Sequence, residues 1–155
     1  MQPKQITNKQ LEVWLDEMAV SYSYCPNCSG LHLEKFNELD FVNDCKLEIY
    51  DGLLIWSSSI DFSASQILQI NAALTQLGIQ NPEFKILLEV DDAGHQLLVV
   101  HTAVVSEGLL DSQFTALFTR LSQGFIGLLE QLQQLQLLTP QVIDIMELPE
   151  YDRIH

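Results

Sequence analysis

Residues 44–60 read DCKLEIYDGLLIWSSSI, and this stretch decides the fold. Apolar and polar residues alternate on both sides of Asp51-Gly52, as they do in a half-buried strand. An Asp-Gly pair between two such runs indicates a type I′ turn, because both central residues of that turn need a positive φ. The stretch therefore predicts a β-hairpin, one face of which carries the core residues Cys45, Leu47, Ile49, Leu54, Trp56 and Ser58.

The rest of the chain supplies a strand around Leu31 and Leu33, a second hairpin and three helices. The second hairpin is predicted at 84–105, where FKILLEV and HQLLVVHTAVV flank the turn DDAG. Helical spacing of apolar residues predicts helices at about 7–20, 65–77 and 111–137, the second of them ended by Gly78. The order α-β-β-β-α-β-β-α predicts an α+β fold, in which helices pack against an antiparallel sheet of hairpins.

The third predicted helix is the longest, and its apolar residues are spaced alternately four and three apart, as in a heptad seam. They are Phe114, Phe118, Leu121, Phe125, Leu128, Leu132 and Leu135. We predict that the seam packs on the chain's own sheet, and association between subunits is the alternative. Thr139-Pro140 ends the helix, so the chain divides into one domain, residues 1–138, and an acidic C-terminal tail, residues 139–155.

The charge balance limits the partners that the chain can have. Its 155 residues include 21 acidic and 7 basic ones, which gives a net charge of −14. A chain this acidic repels nucleic acid and anionic membranes, so we expect neither as a partner. The first residues, MQPKQITNKQ, contain no apolar segment typical of a signal peptide, and we therefore expect a cytoplasmic protein.

Residues 24–33, YCPNCSGLHL, contain the candidate chemical site. The spacing of Cys25 and Cys28 suits a zinc knuckle, with His32 as a third ligand and Cys45 as a possible fourth. However, Cys45 is predicted on the core face, and His32 points away from its neighbours Leu31 and Leu33.

A redox pair at the same place would need a lowered thiol pKa, which commonly comes from a helix N-terminus or a basic neighbour. Neither is close to Cys25 or Cys28 in the sequence. The favoured interpretation is a structural turn bent by Pro26 and Asn27, with no cofactor. A chemical site requires that Cys25, Cys28 and His32 converge in space.

Two predicted strands are apolar on the face that would otherwise be solvated. Leu53 and Ile55 point away from the predicted core in the first hairpin, and Leu98 and Val100 do so in the second. A strand that is apolar on both faces is covered on both sides or covered by another subunit. We expect these four side chains to form a surface for a protein partner or a homodimer.

No catalytic constellation is visible in the sequence. It has no supported order of serine, histidine and aspartate, no glycine-rich phosphate loop and no carboxylate pair in a predicted pocket. We therefore predict that the protein is not an enzyme.

Three stretches resemble the YbjN family of bacterial proteins: WLDEMAVSYSYCPNCSGLHL (14–33), DCKLEIYDGLLIWSSSIDF (44–62) and FKILLEVDDAGHQLLVVHTAVVSEGLLDSQFTALF (84–118). The resemblance covers residues 8–135. It implies a candidate regulator of sensory transduction with a fold like that of type III secretion chaperones, which are small acidic α+β proteins that usually dimerise. The family brings no catalytic residue that could be carried over.

These observations predict a non-enzymatic cytoplasmic protein, regulatory or chaperone-like, that acts by binding protein and forms a homodimer. The alternative function is a metal- or redox-responsive sensor that uses the turn of Cys25 and Cys28.

Overall fold

The hairpin of residues 44–60 lies at the centre of the sheet in the computed structural model, which describes residues 2–92 and 94–138. Strands β3 (Val42–Tyr50) and β4 (Leu53–Asp61) are joined by Asp51 at φ 49° and Gly52 at φ 73°. Both positive φ angles are those of the predicted type I′ turn. The register pairs Leu47 with Trp56, so the core face is the predicted one.

Six antiparallel strands form one sheet in the order β1-β2-β3-β4-β6-β5. The strands besides β3 and β4 are β1 (Tyr22–Tyr24), β2 (Leu31–Leu33), β5 (Lys85–Asp91) and β6 (Gly94–Val104). Strand β6 lies between β4 and β5, and its core-face residues Leu97 and Val99 are buried, whereas Leu98 and Val100 on the other face are only half-buried.

Four helices accompany the sheet: α1 (Asn8–Glu17), α2 (Glu34–Asn37), α3 (Ile67–Gln80) and α4 (Asp111–Gln134). Helix α3 follows a short 3-10 turn, Ala64–Gln66, and continues past Gly78 to Gln80. The prediction that Gly78 ends this helix is therefore wrong. The amide of Asn81 ends it instead by donating to the Leu77 carbonyl.

The helices cover one face of the sheet, which we call the core face, through a cluster of aromatic rings. Trp56 is fully buried at its centre. Its ring lies 5.5 Å from Phe36 of α2 and 5.8 Å from Phe125 of α4, between ring centroids. Six of the seven predicted heptad residues are buried, whereas Leu135 beyond the helix end is 42% exposed. The seam thus packs on its own sheet, as predicted.

The predicted fold class and the order of the elements are confirmed. The structure adds two short elements that the sequence analysis did not resolve, a separate strand β1 and the four-residue helix α2. The predicted tail, residues 139–155, lies outside the described residues. None of the described helices is long and apolar enough to cross a membrane.

Candidate functional site

The turn between β1 and β2 comprises residues 25–30, and its backbone is closed by hydrogen bonds. The amide of Cys25 donates to the carbonyl of Gly30 at 3.1 Å. The amide of Gly30 donates in turn to Cys28 Sγ at 3.4 Å. Pro26 and Asn27 are exposed at the tip of the turn, while the two cysteines are partly buried. The turn thus directs both thiols back toward the sheet.

Cys25, Cys28 and His32 converge. The two sulfurs and a ring nitrogen of His32 all lie within 4.8 Å of one another. His32 leaves the core face because it alternates with the buried Leu31 and Leu33, and this same alternation aims its ring at the turn. The three side chains therefore meet the requirement for a chemical site, which is that they converge in space.

Asp44 orients the histidine ring. His32 Nδ1 lies 2.7 Å from Asp44 Oδ1, across the pairing of β2 with β3. A hydrogen bond with Cys25 and another with Asp44 raise the pKa of His32 above its ordinary value. Because Nδ1 is engaged by the carboxylate, Nε2 is the nitrogen left free for a ligand.

The thiol of Cys25 is activated by its neighbours. A hydrogen bond from Cys28, a second one with His32 and the backbone amide of Asn27 lower the pKa of Cys25 to about 7. Lys46 Nζ lies 3.7 Å from Cys28 Sγ. No basic residue is close to the thiols along the chain, but β2–β3 pairing brings Lys46 to them from a distant part of the sequence.

Cys45 does not belong to this cluster. Its side chain is fully buried on the core face, as predicted, and burial raises its thiol pKa well above the ordinary value. Since the cluster is on the opposite face, Cys45 is not available as a fourth ligand.

The activation of Cys25 can be measured by alkylation with iodoacetamide. In the reduced, metal-free protein we expect the Cys25 rate to rise through about pH 7, because the thiolate is the reacting form. Cys45 should stay unmodified until the protein unfolds. The rates are read from the cysteine peptides by mass spectrometry. A Cys25 midpoint near pH 8.5, the value of an ordinary thiol, would contradict this geometry.

The second candidate region is the open face of the sheet, the face opposite the core. Leu53, Ile55, Leu98 and Val100 all lie on it and are half-buried. A depression of about 230 Å³ lies between the strands there, and it is lined by Asp44, Ser57, Ser58, Ser59, Gln96, Leu98 and Val100. Asp44 therefore touches both regions, since it also holds His32.

Three residues of these regions, Asp44, Lys46 and Ser57, were missed by the sequence analysis. Their alternation with the core residues of the first hairpin did place them on the open face. What was lacking was the pairing of β2 with β3, which alone brings Asp44 and Lys46 to the turn.

The cluster has three chemical possibilities. Two thiols and an imidazole within 4.8 Å can hold a metal ion. The two thiols can form a disulfide if an oxidant is present. The contacts from Cys25 through His32 to Asp44 also match the order of a thiol nucleophile, a base and its orienting acid.

Comparison with known proteins places the chain in a family. No family model matches it. The chain is 30% identical over 119 residues to the uncharacterized protein YbjN of Escherichia coli K12, covering 76% of this chain and 75% of that protein. The chain belongs to the YbjN family. YbjN of Shigella flexneri is related to it at the same identity and coverage.

Solved structures agree with this membership. The crystal structure of E. coli YbjN, described as "a putative transcription regulator", matches with a TM-score of 0.79 at 26% identity. The match covers 90% of this chain and 99% of YbjN. An uncharacterized protein from Methanothermobacter thermautotrophicus shares the fold, with a TM-score of 0.54 at 12% identity over 83% of this chain and 98% of its own.

Proposed function

We propose that the chain is a cytoplasmic regulatory protein without catalytic activity, and that it acts by binding protein through the open face of its sheet. The observation that carries this proposal is the apolar stripe on that face. Leu53 lies beside Val104, which is 79% exposed, and Leu98 lies beside Leu87, which is 49% exposed. Complete burial of such a side chain contributes about 1.5–3 kcal/mol, so a few of them support a complex.

A second copy of the chain is the partner that the charges of this face favour. The whole chain carries −14, so most contacts between two copies are repulsive. The open face mixes the two signs, because β3 carries Asp44, Lys46 and Glu48 there and β5 carries Lys85, Glu89 and Asp91. Each long edge thus has one cation among two carboxylates. If two copies stack through their open faces, a two-fold axis perpendicular to the strands would place Lys46 of one copy opposite Glu48 of the other.

The size of the face suits a dimer. The four strands β3, β4, β6 and β5 lie about 4.8 Å apart and rise about 3.3 Å per residue. Over about nine residues they form a surface of roughly 19 Å by 30 Å. That projection of roughly 600 Å² is of the order of the accessible area, about 800 Å² per partner, buried in standard interfaces.

Direct binding to nucleic acid is not part of the proposal, although YbjN of E. coli is described as "a putative transcription regulator". Three of the seven basic residues are neutralised locally, in the ion pairs Lys4–Asp111, Lys35–Glu38 and Arg120–Glu83. Phosphate binding needs a concentration of unpaired cations, which favours a role through protein contacts.

Catalysis is not part of the proposal either. A cavity of about 530 Å³ between α3 and α4 is lined by glutamines, alanine and leucines, and the depression on the open face does not include Cys25. Neither offers a substrate site next to the thiols.

Replacing Ile55 with glutamate tests the proposal. Ile55 lies in the middle of the open face, where a charge would be buried without a partner in the dimer. We expect the wild-type chain to sediment as a dimer and Ile55→Glu as a folded monomer. The matched control is Ile79→Glu, the same substitution on α3 at a side chain that is 67% exposed.

Sedimentation velocity gives the mass, and far-UV circular dichroism reports whether each variant is folded. A monomeric wild type, or equal dissociation by Ile79→Glu, would contradict the proposal. Unfolding of Ile55→Glu would show that Ile55 is part of the core instead.

A further inference from the structure

We propose that Cys25, Cys28 and His32 form a binding site for one zinc ion, with a fourth position open to solvent or to an exchangeable ligand. This inference is independent of the open-face dimer. It rests on the convergence of the three side chains, on the support of the histidine and on the backbone of the turn.

The distances are close to those that zinc requires. Tetrahedral zinc binds thiolate sulfur at about 2.3 Å and imidazole nitrogen at about 2.0 Å, which sets ligand atoms about 3.5–3.8 Å apart. Here the three atoms lie within 4.8 Å of one another. Closing to zinc geometry needs movements of about 1 Å, which side-chain rotations in a partly exposed turn can supply.

The histidine is already prepared as a ligand. The hydrogen bond of 2.7 Å between its Nδ1 and Asp44 Oδ1 fixes the ring orientation and leaves Nε2 free. A carboxylate behind a histidine in this way is the usual outer partner of zinc-binding imidazoles. Asp44 lies on β3, so the support for the histidine comes from a strand of the sheet.

The turn directs hydrogen bonds at both sulfurs. The backbone amides of Asn27 and Cys28 are directed at Cys25, and the amide of Gly30 donates to Cys28 Sγ. Hydrogen bonds to sulfur favour the deprotonated thiol that a metal requires. Lys46 Nζ, 3.7 Å from Cys28 Sγ, adds a positive charge beside the site.

The close approach of the turn to β3 depends on Gly30. A Cβ added there would stand 3.2 Å from Lys46 Cδ and 3.4 Å from Cys28 Sγ. A side chain at this position would push against both the second thiol and the lysine.

Three protein ligands leave the site open. Cys45 lies on the core face, so no fourth thiol completes the set among the described residues. Structural zinc sites are closed by four protein ligands, whereas three-ligand sites keep a position for water or another molecule. The bound zinc would therefore be exchangeable, which suits a regulatory ion better than a structural one.

The presence of two thiols favours a zinc-binding site over a catalytic site with a thiol nucleophile. A thiol nucleophile needs one cysteine with its base, and Cys28 would contribute only a hydrogen bond to such a pair. Two thiolates and one neutral imidazole instead balance the charge of a divalent ion.

Zinc and cobalt titration of the reduced full-length chain tests this site. We expect one equivalent of Zn²⁺ to bind, and one equivalent of Co²⁺ to give the absorption bands of a tetrahedral site with thiolate ligands. Cys25→Ser and Cys28→Ser should each lower the zinc affinity at least 100-fold. Asp44→Asn should lower it about 10–100-fold while keeping the cobalt spectrum, because the ligands remain.

The matched control is Cys45→Ala, which removes a thiol of the opposite face and should keep full zinc affinity. Circular dichroism confirms that each variant is folded. If the reduced wild type binds no zinc, or if the serine variants bind it as tightly as the wild type, the site is wrong. Neither result would touch the dimer, which is measured separately by sedimentation.

Discussion

Replacing Trp56 with alanine is expected to lower the free energy of unfolding by about 3–5 kcal/mol, the range for a large aromatic side chain removed from a core. Trp56 is fully buried and packs against rings from α2 and α4. Its Nε1 also donates to Ser58 Oγ at 3.2 Å, so the substitution leaves that hydroxyl with one partner fewer. The loss is a large part of the roughly 5–15 kcal/mol that stabilises a domain.

Urea unfolding followed by circular dichroism measures this loss, at the same protein concentration for every variant because any association between copies would add to stability. The control is Leu68→Ala on α3, whose side chain is 83% exposed and whose loss should change stability by less than about 0.5 kcal/mol. A loss below about 1.5 kcal/mol for Trp56→Ala would contradict the central position of this ring in the core.

Replacing Gly108 with alanine is expected to destabilise the protein by about 2–3 kcal/mol. Gly108 has φ 84°, a conformation that alanine adopts only with strain. An added Cβ would lie 2.6 Å from the Lys4 carbonyl oxygen. That carbonyl accepts the Leu109 amide at 3.1 Å, so the substitution also disturbs the contact that ties the N-terminal segment to the start of α4.

Gly78→Ala is the matched control for Gly108→Ala. Gly78 lies inside α3, and an added Cβ there has no atom within 4 Å. Because glycine is a poor helix former, this substitution should instead stabilise the protein by about 1 kcal/mol. Opposite signs in the same unfolding assay are the expected result. A neutral Gly108→Ala would show that the left-handed turn is not required.

The fold could be predicted from the sequence because its main signals are local. Asp51-Gly52 specifies the turn by its backbone conformation, and the alternation around it then places the residues of β4 and those of β3 from Asp44 onward. The heptad seam predicted α4 in the same way, since its period matches one face of a helix. The end of α3 could not be predicted from Gly78, because the helix continues through it to Gln80, where the Asn81 side chain donates to the Leu77 carbonyl.

The candidate site could be predicted only in part, because it depends on contacts between distant residues. The sequence shows Cys25, Cys28 and His32 within eight positions, but not that a turn folds both sulfurs onto the histidine. It shows Asp44 and Lys46 as ordinary polar positions of a hairpin. Their role follows from the pairing of β2 with β3, which no local pattern specifies.

Asp44 connects the two proposed sites. It orients His32 beside the thiols, and it also lines the depression next to Leu98 and Val100. An ion bound by His32 would therefore act close to the surface on which a second copy is proposed to dock. The two proposed sites share the open face of the sheet, whereas the residues of the core face stabilise the fold.

The binding role of the open face is tested most directly by isotope-filtered nuclear magnetic resonance on a mixed dimer of labelled and unlabelled chains. The account predicts contacts between chains at the methyl groups of Leu53, Ile55, Leu98 and Val100. Methyl groups of α3, such as those of Leu68 and Ile79, should show none. Contacts between chains at α3, or no contacts at the four open-face residues, would contradict it.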